Sequence, residues 1–364
     1  MAHNIHTIAQ WVKPAQVMAV VKADGYGHGA VEVAQTAVAA GATWLGTAHI
    51  TEALKLREAG ITAPLLAWLH TIKTPFRAAI EHNIDIGVSG PELDAVAEAA
   101  RNADLPARVH LKIDTGLSRN GAVPEIWDDL CKRASELQQA GILRVVGVFT
   151  HFANADDPDG DTDVDIQLRL YHAAVETARK HGLTVDVRHV ANSPALLSRP
   201  DTHLDMVRAG VAIYGLSPFA DRTAEDLGLR PVMSFGTTVA NNKPADIGTG
   251  VSYGYAYRCE LPTRLALIPA GYADGVPRTA VGAPVWIDGK FYRVAGTIAM
   301  DQFVVDLQTD RNDETTAPVG TEVELFGQKS GISSDAWAIA AGTINYELVT
   351  RIGCRVPRIH KQWV

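Results

Sequence analysis

Lys22 closes the short apolar run VMAVVK and leads into ADGYGHG, a glycine-broken turn that carries Tyr26 four residues later. A single lysine at the C-terminus of a strand, desolvated by it and facing mobile glycines, is suited to forming a Schiff base, with room in the loop for a cofactor. By itself the segment reads equally as a strand-end lysine snorkelling beside a tight turn. Four further groups have types suited to holding an anion or moving a proton. Arg119 lies in LKIDTGLSRNG with Lys112 and two glycines. Its planar fork matches a carboxylate, although alone it reads rather as a solvated loop arginine. His151 opens THFANAD, and a lone histidine is more often a satisfied core residue than a catalyst. Asn192 and Ser193 precede Pro194, a residue suited to a first helical turn. There they either cap the helix or offer a hydroxyl and helix-start amides to a phosphate. Arg208 sits within MVRAGVAIYG, just before Gly210 and Val211. A guanidinium inside such a run is costly without an acceptor, so a ligand or a paired partner is expected.

The elements that must hold these residues alternate. Eight apolar β-type runs precede residue 216: Val17–Lys22, Thr43–Thr47, Pro64–Leu69, Ile84–Val88, Arg108–Asp114, Arg144–Thr150, Val185–Val190 and Val207–Tyr214. Between them lie helical patterns such as Ala30–Ala40, Thr51–Ala59, Pro91–Arg101 and Ile166–Arg179. Eight such units predict an α/β chain with an N-terminal (β/α)8 TIM-type barrel, because parallel strands need crossover helices and eight strands close the sheet. A doubly wound open sheet is the alternative. The barrel reading puts every candidate above at a strand's C-terminal end, the catalytic face of such folds, with Ser193 and Gly210 after strands seven and eight, where phosphate commonly binds.

Beyond Leu229–Pro231 the pattern becomes mainly β. Strands are predicted at Thr237–Ala240, Arg264–Pro269, Val285–Ile287, Phe291–Val294, Phe303–Asp306 and Glu322–Phe326, helices at Asp335–Ala341 and Asn345–Arg351, and a closing strand at Arg355–His360. Asp288-Gly289 signals a type I′ hairpin, whose two central positions need positive φ. The expected division is a barrel over residues 1–228 and a β domain over 229–364, joined through the loop carrying Asp221-Arg222-Thr223.

The chain of 364 residues is 47% hydrophobic and 20% charged, ordinary for a folded globular protein. A net charge of −8 gives no reason to expect nucleic acid or an anionic membrane as partner. There is no spanning apolar run and no basic-then-apolar leader. Cys131, Cys259 and Cys354 are odd in number and far apart, which fits reduced cytoplasmic thiols. The thirteen histidines show no metal-ligand spacing, so a cytoplasmic protein without a metal is expected.

In VVKADGYGHG, LKIDTGLSRNG, THFANAD, RAGVAIYG, VSYGYAY, GYADGVPR, MDQ and INYELVTRIGCRVPR, taken in order over about residues 1–360, the chain resembles the alanine racemases. These are fold-type III pyridoxal-phosphate enzymes with an N-terminal barrel and a C-terminal β domain. The resemblance implies that Lys22 holds pyridoxal 5′-phosphate covalently and that Tyr26, Asn192, Ser193, Gly210, Val211 and Tyr346 bind it. Arg208 would face the pyridine nitrogen, oriented by His151. Tyr253 would be the second base, supplied by the partner subunit of a homodimer. Arg119, Asp301, and Met300 from the partner would meet the substrate, and Tyr272 would narrow the mouth. Lys112 matches a position that is carbamylated in some members, giving Arg119 a negative partner. The implied reaction is interconversion of L- and D-alanine, supplying D-alanine for peptidoglycan.

Two departures stand out. Thr297 occupies a position where the family often has arginine, which removes a charged gate. The family's opening strand of the type V-I-D-L-D-A-I is missing, since the sequence given starts on the helical AHNIHTIAQWV. Either residues upstream belong to the protein or the β domain exposes an edge.

The residue types suit the reaction. Inverting a carbon centre by proton exchange is most simply done by two bases on opposite faces, each serving as acid and base in turn, here Lys22 and Tyr253. A tyrosine base needs positive charge to favour its anion, for which Arg208 acting through His151 is the expected source. An arginine at the ring nitrogen also keeps its proton, which weakens the electron sink and suppresses side reactions. A basic-amino-acid decarboxylase fits less well, being larger, with an acid at the ring nitrogen and a cysteine near the site. A serine or broad-range racemase stays open, and a mere cofactor carrier would not need Tyr253.

Overall fold

A computed structural model describes residues 1–71 and 73–361. The chain forms two compact units, Met1–Gly25 with Gly29–Arg230, and Tyr26–His28 with Pro231–Val364.

In the first unit the strands are β1 (Gln16–Val20), β2 (Trp44–Thr47), β3 (Leu65–Ala67), β4 (Asp85–Val88), β5 (Ala107–Lys112), β6 (Leu143–Phe149), β7 (Val187–His189) and β8 (Met206–Ala209). They form one sheet in the order β7-β6-β5-β4-β3-β2-β1-β8, with every pair parallel. That order runs consecutively round the sheet and returns to β1 beside β8, the arrangement of a (β/α)8 barrel. A doubly wound sheet would reverse at a switch point. Between β7 and β8 there is no ladder among the described residues. The Arg208 amide donates to Ala191 O at 2.9 Å. The Arg188 guanidinium donates to Asp205 at 2.8 and 3.0 Å. The strands are near-continuous apolar runs because helices cover one face and the barrel interior the other. Met18, Trp44, Leu66, Val146, Val187 and Met206 pack together as one apolar cluster, with Trp68 against it.

The second unit holds β9 (Phe235–Thr238), β10 (Asn241–Ala245), β11 (Gly250–Val251), β12 (Tyr257–Arg258), β13 (Thr263–Ile268), β14 (Pro284–Ile287), β15 (Lys290–Ala295), β16 (Phe303–Asp306) and β17 (Glu322–Phe326). Seven of these form an antiparallel sheet in the order β10-β13-β16-β15-β14-β17-β9, and β11 pairs with β12. The predicted hairpin is present, with Ile287 opposite Lys290 and φ of 43° at Asp288 and 87° at Gly289. β10 escapes a sequence reading because NNKPA is polar and carries Pro244. A proline is tolerated there because β10 is an edge strand.

The predicted closing strand Arg355–His360 does not form. Pro357 has no amide to donate. The Arg358 guanidinium instead folds onto the carbonyls of Ile352, Gly353 and Val356 at 2.6, 2.7 and 2.6 Å. The run RVPRI alternates like a strand, but its own arginine ties it into a compact turn. Among the described residues no helix is long and apolar enough to cross a membrane.

Candidate active site

Strand β1 ends at Val20, two residues earlier than its apolar run suggests, because the chain reverses hand after Lys22. Ala23, Asp24 and Gly25 have φ of 52°, 52° and 60°, and Tyr26 follows at 53°. Four consecutive left-handed residues, three of them not glycine, cost about 1–2 kcal/mol for each non-glycine position. Such a turn persists only where its surroundings over-determine it. Asp24 accepts from the Ala30 amide at 3.0 Å. Glu52 accepts from the Ala23 amide at 2.7 Å with one oxygen and from the Ala48 and His49 amides at 2.9 Å with the other. The acid that begins the helix after β2 therefore clamps the residue next to Lys22. Lys22 is half-buried, and burial lowers its pKa, helped by the positive charges of Arg119 and Arg208 and opposed by Glu52.

Arg208, on β8, points into the barrel as a buried guanidinium held by dipoles. Its Nη1 donates to His189 O at 2.7 Å and lies 3.2 Å from His189 Nδ1. Its Nη2 donates to Thr150 O at 2.7 Å and Val190 O at 3.0 Å. His151 Nδ1 is a longer contact at 3.4 Å. The main anchors of the guanidinium are thus strand-end carbonyls, and His151 adds a weaker one. Among the described residues, no carboxylate touches Arg208. Burial pushes its pKa down to about 10, which leaves it protonated at neutral pH. Lys112, on β5, lies over the same Phe149 ring as Arg208, at 5.5 and 5.7 Å. Burial, then Arg208 and Arg119, bring Lys112 down to about 8. His151 is held well below its usual range by burial and by Arg208, Arg119, Lys112 and Lys22, so it is neutral. These four cations gather at the C-terminal ends of the strands and raise the local potential for an anion.

Ser193 is buried, and its Oγ accepts from the Gly210 amide at 2.9 Å and the Ala212 amide at 3.4 Å. Its own O–H is left to donate. Gly210 and Val211 lead into a short 3-10 helix, Val211–Tyr214, whose first amides have no partner inside it. Asn192 caps the neighbouring helix, accepting from Ala195 at 3.3 Å. This cap is one of the two readings open in the sequence.

In the second unit Tyr26 and Tyr346 lie with ring centroids 6.3 Å apart. Gly27 lets the segment after Tyr26 lie against the helix Asn345–Thr350 that carries Tyr346, since a Cβ there would stand 2.3 Å from Val349 O. Tyr253 stands on a strained loop, with φ of 59°, 72° and 48° at Ser252, Gly254 and Tyr255. Thr297 fastens that loop, accepting from Ser252 Oγ at 2.5 Å through its carbonyl and donating to Tyr253 O at 3.2 Å. Tyr253 is 71% exposed, Met300 53% and Tyr272 40%. Tyr272 and Met300 belong to one turn, in which the Tyr272 amide donates to Ala299 O and the Ala273 amide to Met300 O, at 3.1 and 2.9 Å. Asp301 accepts from Arg355 at 2.7 Å, and Arg355 also holds Asp274.

Sequence reasoning missed Glu52, Asp85, His110 and His189. Glu52 carried a weak signal, as an acid at the N3 position of a helix. The other three read as polar residues in strands, and only their convergence gives them meaning.

The sequence profile described as "Alanine racemase, N-terminal domain" matches residues 1–218. That described as "Alanine racemase, C-terminal domain" matches residues 232–360. An alanine racemase of Thermobifida fusca is 48% identical over 361 residues, spanning 98% of this chain and 94% of its own length. One from Mycolicibacterium smegmatis is 45% identical, spanning 98% and 92%. The crystal structure of alanine racemase from D-cycloserine-producing Streptomyces lavendulae superposes with a TM-score of 0.96 at 47% identity, covering 100% of this chain and 95% of that one. Matched through both halves, the chain belongs to the alanine racemase family and is an amino-acid racemase of that family.

Proposed function

We propose that the chain interconverts L- and D-alanine with pyridoxal 5′-phosphate, using Lys22 and Tyr253 as its two bases, in a homodimer whose subunits each lend Tyr253 to the partner's barrel. The observation that carries this reading is the set of Lys22, Lys112, Arg119 and Arg208, with Arg208 buried and without a carboxylate in contact. A phosphorylated aldehyde fits that donor set. It brings negative charge to a site with surplus positive charge, and a carbonyl to an amine whose lowered pKa leaves more of it neutral and nucleophilic. Lys22 would hold it covalently. Ser193, Gly210, Val211, Tyr26 and Tyr346 would take its phosphate, with Asn192 and His151 beside it.

When bound, the cofactor supplies an electron sink that acidifies the α-carbon of an amino acid. The chain's own residues supply the stereochemistry. Neutral Lys22 Nζ accepts a proton on one face, and the Tyr253 hydroxyl group exchanges one on the other. In this assignment Tyr253 acts on L-alanine and Lys22 on D-alanine. Arg208 donates a hydrogen bond without surrendering its proton, so a basic ring nitrogen facing it stays unprotonated. Arg119, with Met300 of the β domain, would receive the alanine carboxylate, and Asp301, next to Met300, would line the substrate's place. Tyr272 would narrow the approach and favour a small side chain. The barrel, residues 1–228, would thus carry the cofactor and the β domain, residues 229–364, the second base. D-alanine made in the cytoplasm would feed peptidoglycan synthesis.

The test is chiral product analysis of the purified full chain across a panel of L- and D-amino acids, beside Lys22→Ala. Alanine should be inverted in both directions, and the variant should lose both the visible absorbance of bound cofactor and nearly all turnover. A variant that kept both would remove Lys22 from its role. Faster inversion of another amino acid would replace alanine as the substrate.

A further inference from the structure

Behind Arg208 a line of buried polar side chains crosses the barrel. His189 Nδ1 lies 3.2 Å from Arg208 Nη1, and His189 Nε2 lies 3.0 Å from His110 Nδ1. His110 Nε2 lies 3.1 Å from Asp85 Oδ2. Asp85 in turn accepts from Arg108 Nε and Nη2 at 2.7 and 3.1 Å. The four members come from β8, β7, β5 and β4, and they are 6%, 0%, 0% and 2% exposed respectively.

The ends of this line dictate its protons. A guanidinium can only donate and an ionised carboxylate can only accept. His189 must therefore accept at Nδ1 and donate from Nε2, and His110 must do the same towards Asp85. No other assignment satisfies all three contacts with both rings neutral. Each component supports it. Burial works to raise Asp85, yet the bonds from His110 and Arg108 outweigh it and keep the carboxyl below its usual range. Burial, then His110 and Arg208, hold His189 well below the range where it would charge. The rings cannot swing freely. His189 stacks on Phe149 at 4.8 Å and 6°, and Trp44 meets the His110 ring edge-on at 5.5 Å. Gly147 leaves the space for His110, since a Cβ there would fall 2.7 Å from His110 Nδ1.

We propose that Asp85 is a positioning residue for Arg208, acting through the fixed tautomers of His110 and His189 as the distant carboxylate partner that the guanidinium lacks among its direct contacts. The role rests on the racemase reading for its effect on catalysis, but the proton arrangement itself does not. Aligned bonds of this kind polarise one another in a low-dielectric interior, so the ends are coupled across two neutral rings. The guanidinium is thereby held to the barrel wall by His189 as well as by the strand-end carbonyls, keeping its orientation towards the site.

The experiment uses the full-length chain labelled with 15N in histidine. At neutral pH the ring nitrogens of His110 and His189 should both report the neutral Nε2–H form. A protonated ring, or an Nδ1–H form at either position, would overturn the proposal whatever the enzyme's activity, so it fails separately from the functional assignment. Three variants then test the consequence. Asp85→Asn keeps the shape and removes the charge, and should lower kcat about tenfold with the KM for alanine little changed, the low end of the losses seen for residues that orient a functional group from behind. His110→Leu should do the same and leave the His189 Nε2–H without its acceptor, shifting that ring nitrogen's resonance while Nδ1 still faces Arg208. His110→Gln can still accept from His189 and donate to Asp85, and should recover kcat to within about twofold of the parent chain. Equal losses in the Leu and Gln variants would reduce the line to packing. Folded Asp85→Asn with unaltered kcat would remove Asp85 from the role.

Discussion

Glu52→Gln separates the two things that Glu52 does for Lys22. One carboxylate oxygen accepts from a single amide, Ala23, and the other from two, Ala48 and His49. Glutamine keeps only one oxygen, and it should turn that oxygen to the pair. Its NH2 then faces the Ala23 amide, donor against donor. Loss of a charge-assisted bond costs about 1.5–3 kcal/mol, and the lower end applies because Ala23 is exposed. The left-handed turn is intrinsically strained and now lacks its first anchor, so a total near 1.5–2 kcal/mol is expected, equivalent to roughly 3–8 °C in melting temperature for a unit of this size. The second effect is electrostatic. Glu52 opposes the burial and the cations that lower Lys22, so its neutralisation should lower Lys22 further. Calorimetry of the full chain reads the first effect. Uptake of pyridoxal phosphate by the stripped chain, followed by absorbance against pH, reads the second, and its midpoint should move to lower pH. An unchanged melting temperature together with an unchanged midpoint would refute the clamp.

Mixing inactive Lys22→Ala with inactive Tyr253→Ala should restore about one active site in two per mixed dimer, because only one site then receives both native residues. Absence of recovery despite demonstrated subunit exchange would place both bases in one chain. Lys112 stands at about 8 in the fold against an ordinary 10.5, so between those values the unfolded chain holds the extra proton and stability should rise with pH. Urea midpoints taken across that window should climb in the parent chain and climb less in Lys112→Met, and identical slopes would exclude Lys112 as the source. Gly147→Ala would put a Cβ 2.5 Å from Val187 O and 2.7 Å from His110 Nδ1. It should destabilise the barrel by about 1–3 kcal/mol and perturb the His110 ring signals, whereas a neutral substitution would show that the strand relaxes freely there.

The eight barrel strands and the Asp288-Gly289 hairpin were legible because side-chain periodicity and turn chemistry are local properties of the chain. Lys22 was legible for the same reason, as the polar end of an apolar run before glycines. The same local logic misled at Arg355–His360, where alternation suggested a strand but Pro357 and the back-folded Arg358 made a turn. The reversal of hand at Ala23 was invisible, since alanine and aspartate seldom adopt that conformation and it depends on Glu52, 29 residues away. Asp85, His110, His189 and Arg208 lie 25, 79 and 19 residues apart in successive pairs, and each alone is an ordinary polar residue in a strand. The sequence by itself determined which segments become strands and which residue types can hold an anion or move a proton. Only closure of the barrel decided which of those charges meet, because that depends on strand order and register across its interior, where water cannot screen a misplaced partner.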